Sequence, residues 1–131
     1  MENCKVELCG KLADLIIWDL EDKVRSLLKE GWTLSEATQI TLEGEHYKVT
    51  QKMHRETKCV VDFPEEYAVA IAEADTLDLV NKLMEEDVKS FLEASWKKLG
   101  DGITIKGRKG EYISIQTFTA TWGTCVPVSE N

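Results

Sequence analysis

An apolar stripe between Lys11 and Glu30 is the sequence feature that most constrains the fold of this chain. Large aliphatic side chains recur there at three- and four-residue intervals, which places them on one face of an α-helix. They are Leu12, Ile16, Leu20, Val24, Leu27 and Leu28. Gly31 follows at a position where helices often end, because glycine adopts a positive φ without a Cβ penalty. Trp18 lies off the centre of the stripe, so it either flanks the core or belongs to an interface with another subunit.

A second long helix is predicted from Asp75 or Thr76 to near Leu99. Either of these first residues can cap the helix, since each offers a side-chain oxygen to the free N–H groups of the first turn. Gly100 then ends the helix. The apolar side of this helix is formed by Val80, Leu83, Met84, Val88, Phe91, Leu92 and Leu99.

The remaining segments have the alternating pattern of β-strands. The short turn Glu43-Gly44-Glu45 predicts a hairpin between the strands on either side of it, and a third strand extends the hairpin to an antiparallel meander. Residues 64–75 combine strand-like alternation with alanines and a proline that would suit a helix start, and we favour the strand. The predicted strands in this part of the chain are Lys5–Leu8, Thr38–Leu42, Tyr47–Gln51 and Cys59–Val61.

A second hairpin is predicted near the carboxyl end, where Ile103–Lys106 and Glu111–Trp122 flank the turn Gly107–Gly110. Its apolar positions change parity midway along the second strand, which indicates either a bulge or a strand that serves two surfaces. No internal repeat or linker is recognised, and 131 residues is the length of one domain. The predicted fold is α+β, a single domain over residues 1–131 with an antiparallel sheet and two long helices.

Charge and hydropathy limit the partners. The chain carries 24 acidic and 16 basic side chains, a formal net charge of −8. Duplex nucleic acid is a dense line of negative charge, so we expect no duplex partner. Lys106, Arg108 and Lys109 nevertheless stand close together, and a local cluster of this size suits a small anion. No apolar run approaches the ~20 residues that cross a bilayer, and the start has no secretory pattern, so we expect a cytoplasmic protein without a membrane partner.

Neither metal chemistry nor catalysis is indicated. The spacing of the four cysteines matches no zinc motif, and we expect reduced, mostly buried thiols. His46 and His54 share one face of a predicted strand with polar neighbours, which favours a solvated surface over a general-base site. No phosphate-binding loop, nucleophile elbow or dinucleotide-binding motif occurs, so the sequence predicts no enzyme, no cofactor and no metal.

The turn Gly107-Arg108-Lys109-Gly110 is the most informative local motif. Its glycines allow the backbone N–H groups to turn toward a ligand, and Arg108 and Lys109 between them supply positive charge. The planar guanidinium of arginine binds phosphate through two parallel hydrogen bonds. The alternative is a plain hairpin turn whose polar residues keep it soluble.

Aromatic and amide side chains elsewhere complete a candidate nucleotide site. Phe91 offers a flat face for stacking on a base, although its spacing also fits a core position. Asn81 offers donors and an acceptor to a base or ribose edge. Arg25 on the first helix and Arg55 at the end of a strand are, with Arg108, the three arginines of the chain. Their convergence on one ligand would indicate a binding site. Further flat faces are Trp96, Tyr112 and Trp122.

In length and order of elements the chain resembles the small phage anti-Thoeris proteins that act as sponges for cyclic ADP-ribose signals. The resemblance is carried by Arg55, by the helix with Asn81 and Phe91, and by the basic turn that ends at Gly110. It implies a non-enzymatic phage protein that acts in the host cytoplasm. Such a protein sequesters a cyclised ADP-ribose isomer, or another cyclic nucleotide, in recessed pockets between the subunits of a homo-oligomer, a dimer or larger.

The same resemblance implies roles for the candidate residues. Arg55 and Arg108 would grip the diphosphate, Phe91 would stack on the adenine and Asn81 would contact a polar edge of the ligand. The further candidates are Arg25 and Lys109.

Three other functions fit the sequence. An acidic protein that binds and inhibits a bacterial defence complex, in the manner of anti-CRISPR proteins, is favoured by the net charge of −8. A small enzyme without a recognisable motif and an oligomeric structural module are the remaining alternatives. A sponge is expected to return its ligand intact, whereas an enzyme alters the ligand and an inhibitor tolerates the loss of Arg108.

Overall fold

A computed structural model describes residues 2–55, 59–61, 65–120 and 125–127, and for 59–61 and 125–127 the backbone alone. Within these residues it has two helices and ten strands, which confirms the α+β class and both long helices. Neither helix is long and apolar enough to span a bilayer. In chain order the elements are β1 (Glu2–Gly10), α1 (Ala13–Lys29), β2 (Thr33–Leu34), β3 (Gln39–Glu43), β4 (His46–Arg55), β5 (Cys59–Val61), β6 (Glu66–Ala74), α2 (Leu77–Glu93), β7 (Lys97–Lys98), β8 (Ile103–Lys106), β9 (Tyr112–Ala120) and β10 (Cys125–Pro127).

Most of the strands divide between two antiparallel sheets of four strands each. In the first sheet β4 is central, with β1 along one edge and β2 and β3 along the other. In the second sheet β9 is central, with β6 along one edge and β7 and β8 along the other. The predicted meander is wrong in its third strand, Cys59–Val61. Because β4 already has strands along both edges, Cys59–Val61 pairs with Cys125–Pro127 instead.

The order of one strand, one helix and three strands occurs twice along the chain. The helices α1 and α2 both run for 17 residues, and each set ends in the central strand of its sheet. Hydrogen bonds also correspond: Ser35 N–H donates to Lys52 C=O at 3.0 Å, and Leu99 N–H donates to Thr117 C=O at 2.9 Å. We therefore name residues 2–55 the first repeat and residues 66–120 the second repeat.

Identical residues occupy equivalent positions in the two repeats, so the expectation of a chain without a repeat is wrong. The identities escape detection because most lie on the helices, where any amphipathic pattern gives similar spacings. In addition, the turn before the central strand is longer in the second repeat. The identical pairs include Asp14 and Asp78, Leu15 and Leu79, Glu21 and Glu85, Val24 and Val88, Ser26 and Ser90, Leu28 and Leu92, Trp32 and Trp96, Tyr47 and Tyr112, and Gln51 and Gln116.

The main core lies between the two sheets, and α1 packs inside it. Residues of α1 are buried against β1 and β4 on one side and against β6 on the other. The helix α2 instead covers the opposite face of the second sheet, where Val80 and Met84 are its buried residues. The strand β9 is thus covered on both faces, which explains its change of apolar parity. Its pairing with β6 is continuous from Ala120 to Tyr112, so no bulge is involved.

Both ends of α2 have local causes. Thr76 caps the helix as predicted, because its Oγ1 accepts a hydrogen bond from Leu79 N–H at 3.2 Å. The helix ends at Glu93, earlier than the predicted Leu99, since Ser95 adopts a φ of 71° and turns the chain away from the helix axis. Residues 66–74 form β6, which confirms the strand favoured for this part of the chain.

The equivalent leucines Leu28 and Leu92 test the different burial of the helices. Leu28 is 2% exposed and Leu92 is 50% exposed. Leu28→Ala should lower the free energy of unfolding by about 2–5 kcal/mol, as for other buried leucines. Leu92→Ala should lower it by less than about 1 kcal/mol. Urea unfolding of both variants measures the difference, and similar losses would contradict the placement of α1 in the core.

Candidate functional site

The predicted basic turn is anchored by Tyr47, a residue of the first repeat. The Tyr47 side chain is buried, and its hydroxyl accepts a hydrogen bond from Arg108 N–H at 2.9 Å and donates one to Glu111 Oε1 at 3.1 Å. Glu111 Oε2 accepts a further hydrogen bond from Lys109 N–H at 3.1 Å. Burial is the largest cause that raises the pKa of Tyr47, so the phenol keeps its proton at neutral pH and can donate it.

Both glycines of the turn have structural roles. Gly110 has a φ of +84°, a conformation that glycine adopts without steric cost. A Cβ on Gly107 would collide with the Glu111 carboxylate and lie 2.8 Å from the Tyr47 hydroxyl. The turn was expected to direct its backbone N–H groups toward a ligand, and this is wrong for Arg108 and Lys109. The Arg108 N–H donates to the Tyr47 hydroxyl, and the Lys109 N–H donates to the Glu111 carboxylate. The turn therefore offers its side chains to a ligand.

These side chains line a cavity of about 600 Å³, which we name the turn cavity. It lies between the start of α1, the end of β6 and the turn before β9, so both repeats contribute to it. Positive and negative side chains face it together with three apolar ones near the start of α1. Its lining residues are Lys11, Leu12, Ala13, Asp14, Leu15, Tyr47, Glu73, Ala74, Asp75, Arg108, Lys109 and Glu111.

The positive side chains of the turn cavity are available to a ligand. Among the described residues, Lys11, Arg108 and Lys109 form no salt bridge. The N-cap residue of α1 is Leu12, which offers no side-chain hydrogen bond to the first turn. Free N–H groups at the start of a helix attract anions. The Asp14 carboxylate accepts a hydrogen bond from one of these groups, Leu15 N–H, at 2.9 Å. The cavity therefore combines three bases and a helix start with four carboxylates, those of Asp14, Glu73, Asp75 and Glu111.

The carboxylates of the turn cavity repel one another. Partial desolvation raises the pKa of Glu73, whose side chain is still exposed, and the charges of Asp14 and Glu111 raise it further. Carboxylates in a phosphate-binding site commonly accept hydrogen bonds from ribose hydroxyls. The mixture of bases and acids therefore suits a ligand with phosphate and hydroxyl groups better than it suits a simple anion.

The structure brings together two of the six predicted site residues, Arg108 and Lys109. Arg25 lies elsewhere, on the side of α1 that faces β6, where its guanidinium donates to Glu21 Oε2 at 3.0 Å and to Tyr67 C=O at 3.2 Å. These contacts give Arg25 a structural role between the helix and the second sheet.

Arg55 is also engaged within the protein. Its guanidinium pairs with Glu2 and lies over the Trp32 ring, 4.6 Å from the centroid. Tyr47 and Arg55 are at opposite ends of β4, about 26 Å apart at roughly 3.3 Å per residue. Since Arg108 contacts Tyr47, Arg55 and Arg108 of one chain cannot hold the same diphosphate. Their joint role would require two copies of the chain.

The helix α2 places Asn81 and Phe91 away from the turn cavity. Phe91 stacks on Phe118 with ring centroids 4.2 Å apart and meets Trp96 edge-on, so its contacts are those of a core residue. Asn81 lines a second cavity of about 620 Å³, which we name the α2 groove. The lining residues of the α2 groove are Asn81, Met84, Glu85, Val88, Lys89, Leu92, Glu93, Lys98 and Gln116.

Among the described residues, the histidines, Cys4 and Cys9 take no part in either cavity. The two ring nitrogens of His54 lie 2.9 Å from Thr33 Oγ1 and 2.8 Å from Ser35 Oγ. The expectation of buried thiols is wrong for Cys9, which is exposed. In the part of the chain that the structure describes, no group of His, Cys, Asp and Glu could hold a metal ion. Trp122 lies outside the described residues.

Sequence reasoning missed Lys11, Tyr47 and Glu73, which all line the turn cavity. A base directly before a helix without a capping side chain is a signal that could have marked Lys11, because helix starts attract anions. No local pattern marks Tyr47 or Glu73. They reach the turn because the two repeats pack together, and this packing is not visible in either segment alone.

Comparison of the chain with protein-family models, curated proteins and solved structures finds no match.

The raised pKa of Glu73 predicts a pH-dependent stability. A carboxyl with a raised pKa holds its proton more tightly in the folded state, so this contribution is present below the ordinary value of 4.5 and is lost as the pH rises through the raised value. The free energy of unfolding should therefore fall as the pH rises from 4.5 toward neutrality, and Glu73→Gln should make this fall smaller. Urea unfolding across this range measures the effect, and an unchanged pH dependence in Glu73→Gln would contradict it.

Proposed function

We propose that this protein binds and sequesters a small phosphorylated ribose ligand in the turn cavity, and that this ligand is a signal of the cyclic ADP-ribose type. The observation that carries the proposal is the meeting of Lys11, Arg108 and Lys109 in one cavity beside the start of α1. The cavity volume of about 600 Å³ lies within the range of roughly 300–1,000 Å³ typical of small-molecule sites.

The chemistry of the cavity supports a nucleotide over an inorganic anion. The guanidinium of Arg108 and the ammonium groups of Lys11 and Lys109 suit a diphosphate, which accepts charge-assisted hydrogen bonds. Asp14 and Glu73 would accept hydrogen bonds from ribose hydroxyls. The proposal includes no chemical step on the ligand: a sponge acts in the host cytoplasm by holding the signal, and the resemblance to phage anti-defence proteins supports this role.

An exposed apolar patch beside the cavity supports a homo-oligomer. Leu12 and Leu15 line the cavity with exposed fractions of 53% and 46%, and Trp18 on the same helix is 57% exposed. A second copy seated on this patch would cover the mouth of the cavity and enclose the ligand. It would also allow Arg55 of one copy to serve the site of another, as the resemblance implies.

Thermal shift and ligand recovery test the proposal. Cyclic ADP-ribose should raise the Tm, and heating the complex should release the ligand intact. Arg108→Ala and Lys109→Ala should each weaken binding about tenfold or more, because each removes a charged hydrogen bond worth about 1.5–3 kcal/mol. Lys106→Ala is the matched control, since this neighbouring base does not line the cavity and should leave the affinity unchanged.

Two results would contradict the proposal. Absence of stabilisation at saturating ligand would exclude binding, since a ligand at ~100 times its Kd adds about 2.7 kcal/mol. Recovery of a hydrolysed product would indicate an enzyme, and the turn-cavity carboxylates would then be its candidate acid and base.

An acidic inhibitor of a defence complex is the second candidate function. The observation that favours it is the charge of α2, whose 17 residues carry five acids, among them Glu85 and Glu86, against two lysines. In that case, anti-defence activity should survive Arg108→Ala and be lost when the acids of α2 are neutralised.

A further inference from the structure

The two repeats contain equivalent grooves between helix and sheet, and among the described residues one is filled and the other is open. In the first repeat β6 crosses the groove between α1 and the first sheet, where Tyr67 is buried at 1% exposure. In the second repeat the equivalent space is the α2 groove, and no described segment crosses it.

The filled groove shows how such a space receives a strand. The Tyr67 ring enters between α1 and the first sheet, and its hydroxyl lies 2.5 Å from Thr38 Oγ1. Arg25 on α1 donates to the Tyr67 carbonyl at 3.2 Å. Glu21 lies one helical turn before Arg25, close to the Val69 N–H. Burial raises the pKa of Glu21, and the Val69 N–H lowers it in part. The Arg25 side chain thus binds the backbone of β6, and the Tyr67 ring fills the space between α1 and the first sheet.

The open groove retains the residues for the same contacts. Glu85 and Lys89 occupy the positions of Glu21 and Arg25. Val88 and Leu92 repeat the apolar surface of Val24 and Leu28, and Gln116 repeats Gln51. The amide of Gln116 donates to Gly100 C=O at 3.1 Å, as that of Gln51 donates to Glu36 C=O at 2.7 Å.

We propose that the α2 groove is the docking site for an extended segment of a partner protein. The segment carries an aromatic residue followed two positions later by a β-branched aliphatic residue, the pattern of Tyr67 and Val69. Its ring packs on Val88 and Leu92, its carbonyl accepts a hydrogen bond from Lys89, and Glu85 accepts one from the N–H two residues further on. Docking of an extended peptide through backbone hydrogen bonds and one side-chain pocket is a common mode of recognition.

A second copy of this chain does not fit the groove. The strand equivalent to β6 is β1, and it carries Asn3 and Lys5 where β6 carries Tyr67 and Val69. These side chains lack the aromatic ring and the branched aliphatic group that would pack on Val88 and Leu92. Tyr67 of another copy is itself buried. No described strand of this chain carries such a pair in exposed form, so we take the partner to be a different protein.

Two differences between the grooves favour tyrosine as the aromatic residue. Asn81 stands where α1 has Ile17, which adds a polar group to the wall. Gly102 stands where the first repeat has Thr38, and a Cβ there would lie 3.0 Å from Gln116 Oε1. The glycine leaves room beside the Gln116 amide, so a phenolic hydroxyl finds hydrogen-bonding groups in place of Thr38.

A peptide that copies residues 65–72 is the direct probe. Labelled with a fluorophore and titrated with the full chain, it should bind saturably. The same peptide with alanine for its tyrosine should bind about tenfold more weakly or worse, since aromatic anchors dominate such contacts. In the protein, Leu92→Arg and Glu85→Gln should weaken binding. Leu83→Arg and Glu86→Gln are the matched controls, because these exposed neighbours do not line the groove, and they should leave it unchanged.

Three results would overturn this proposal. The first is no saturable binding of the tyrosine peptide. The second is equal loss in the groove variants and their controls, with circular dichroism showing that all four variants are folded. The third is self-association of the chain, measured by sedimentation, that Leu92→Arg abolishes, because the occupant would then be a second copy. None of these results bears on the turn cavity, whose ligand is tested separately.

Discussion

The seating of Tyr67 between α1 and the first sheet is the contact on which the rest of the structure depends. Thr38 Oγ1 lies 2.6 Å from Gln51 Oε1, to which it donates, and it accepts from the Tyr67 hydroxyl. Thr38 N–H donates to Thr117 Oγ1 in the second repeat at 2.8 Å. These groups are buried and bonded to one another, as buried polar groups must be to avoid a large desolvation cost. This small network joins the two repeats and holds the second sheet against α1.

The position of the turn cavity follows from the same packing. Because the second sheet lies against α1, the turn before β9 meets Tyr47 of the first repeat and the start of α1. The corresponding turn of the first repeat is Glu43-Gly44-Glu45, which is acidic and shorter. The basic turn is thus particular to one repeat, whereas the fold around it is common to both. A basic turn in one repeat and an acidic turn in the other indicate that the basic turn serves a function, because the shared fold does not require it.

Elements with a strong local signal could be predicted from the sequence, and contacts between distant elements could not. The helix α1, the Thr76 cap and both hairpins are encoded within single segments and are present in the structure. The predicted stripe of α1 is wrong at Leu12, which precedes the helix and is exposed, and it left out the buried Ile17. The pairing of Cys59–Val61 with Cys125–Pro127 and the duplication depend on residues far apart in the chain. The same holds for the site. Arg108 and Lys109 are adjacent in sequence and line the same cavity, whereas Arg55 and Arg108 lie too far apart in one chain to bind the same ligand.

Native-state hydrogen exchange of equivalent amides in α1 and α2 tests the central claim, that one helix is enclosed by both repeats and the other is open on one side. Amides of α1 should exchange only through global unfolding, and their free energies of exchange should equal that of the whole domain. Amides of α2 should exchange through local opening at a lower free energy, because fewer of its side chains are buried. Equal free energies of exchange for the two helices would contradict the account.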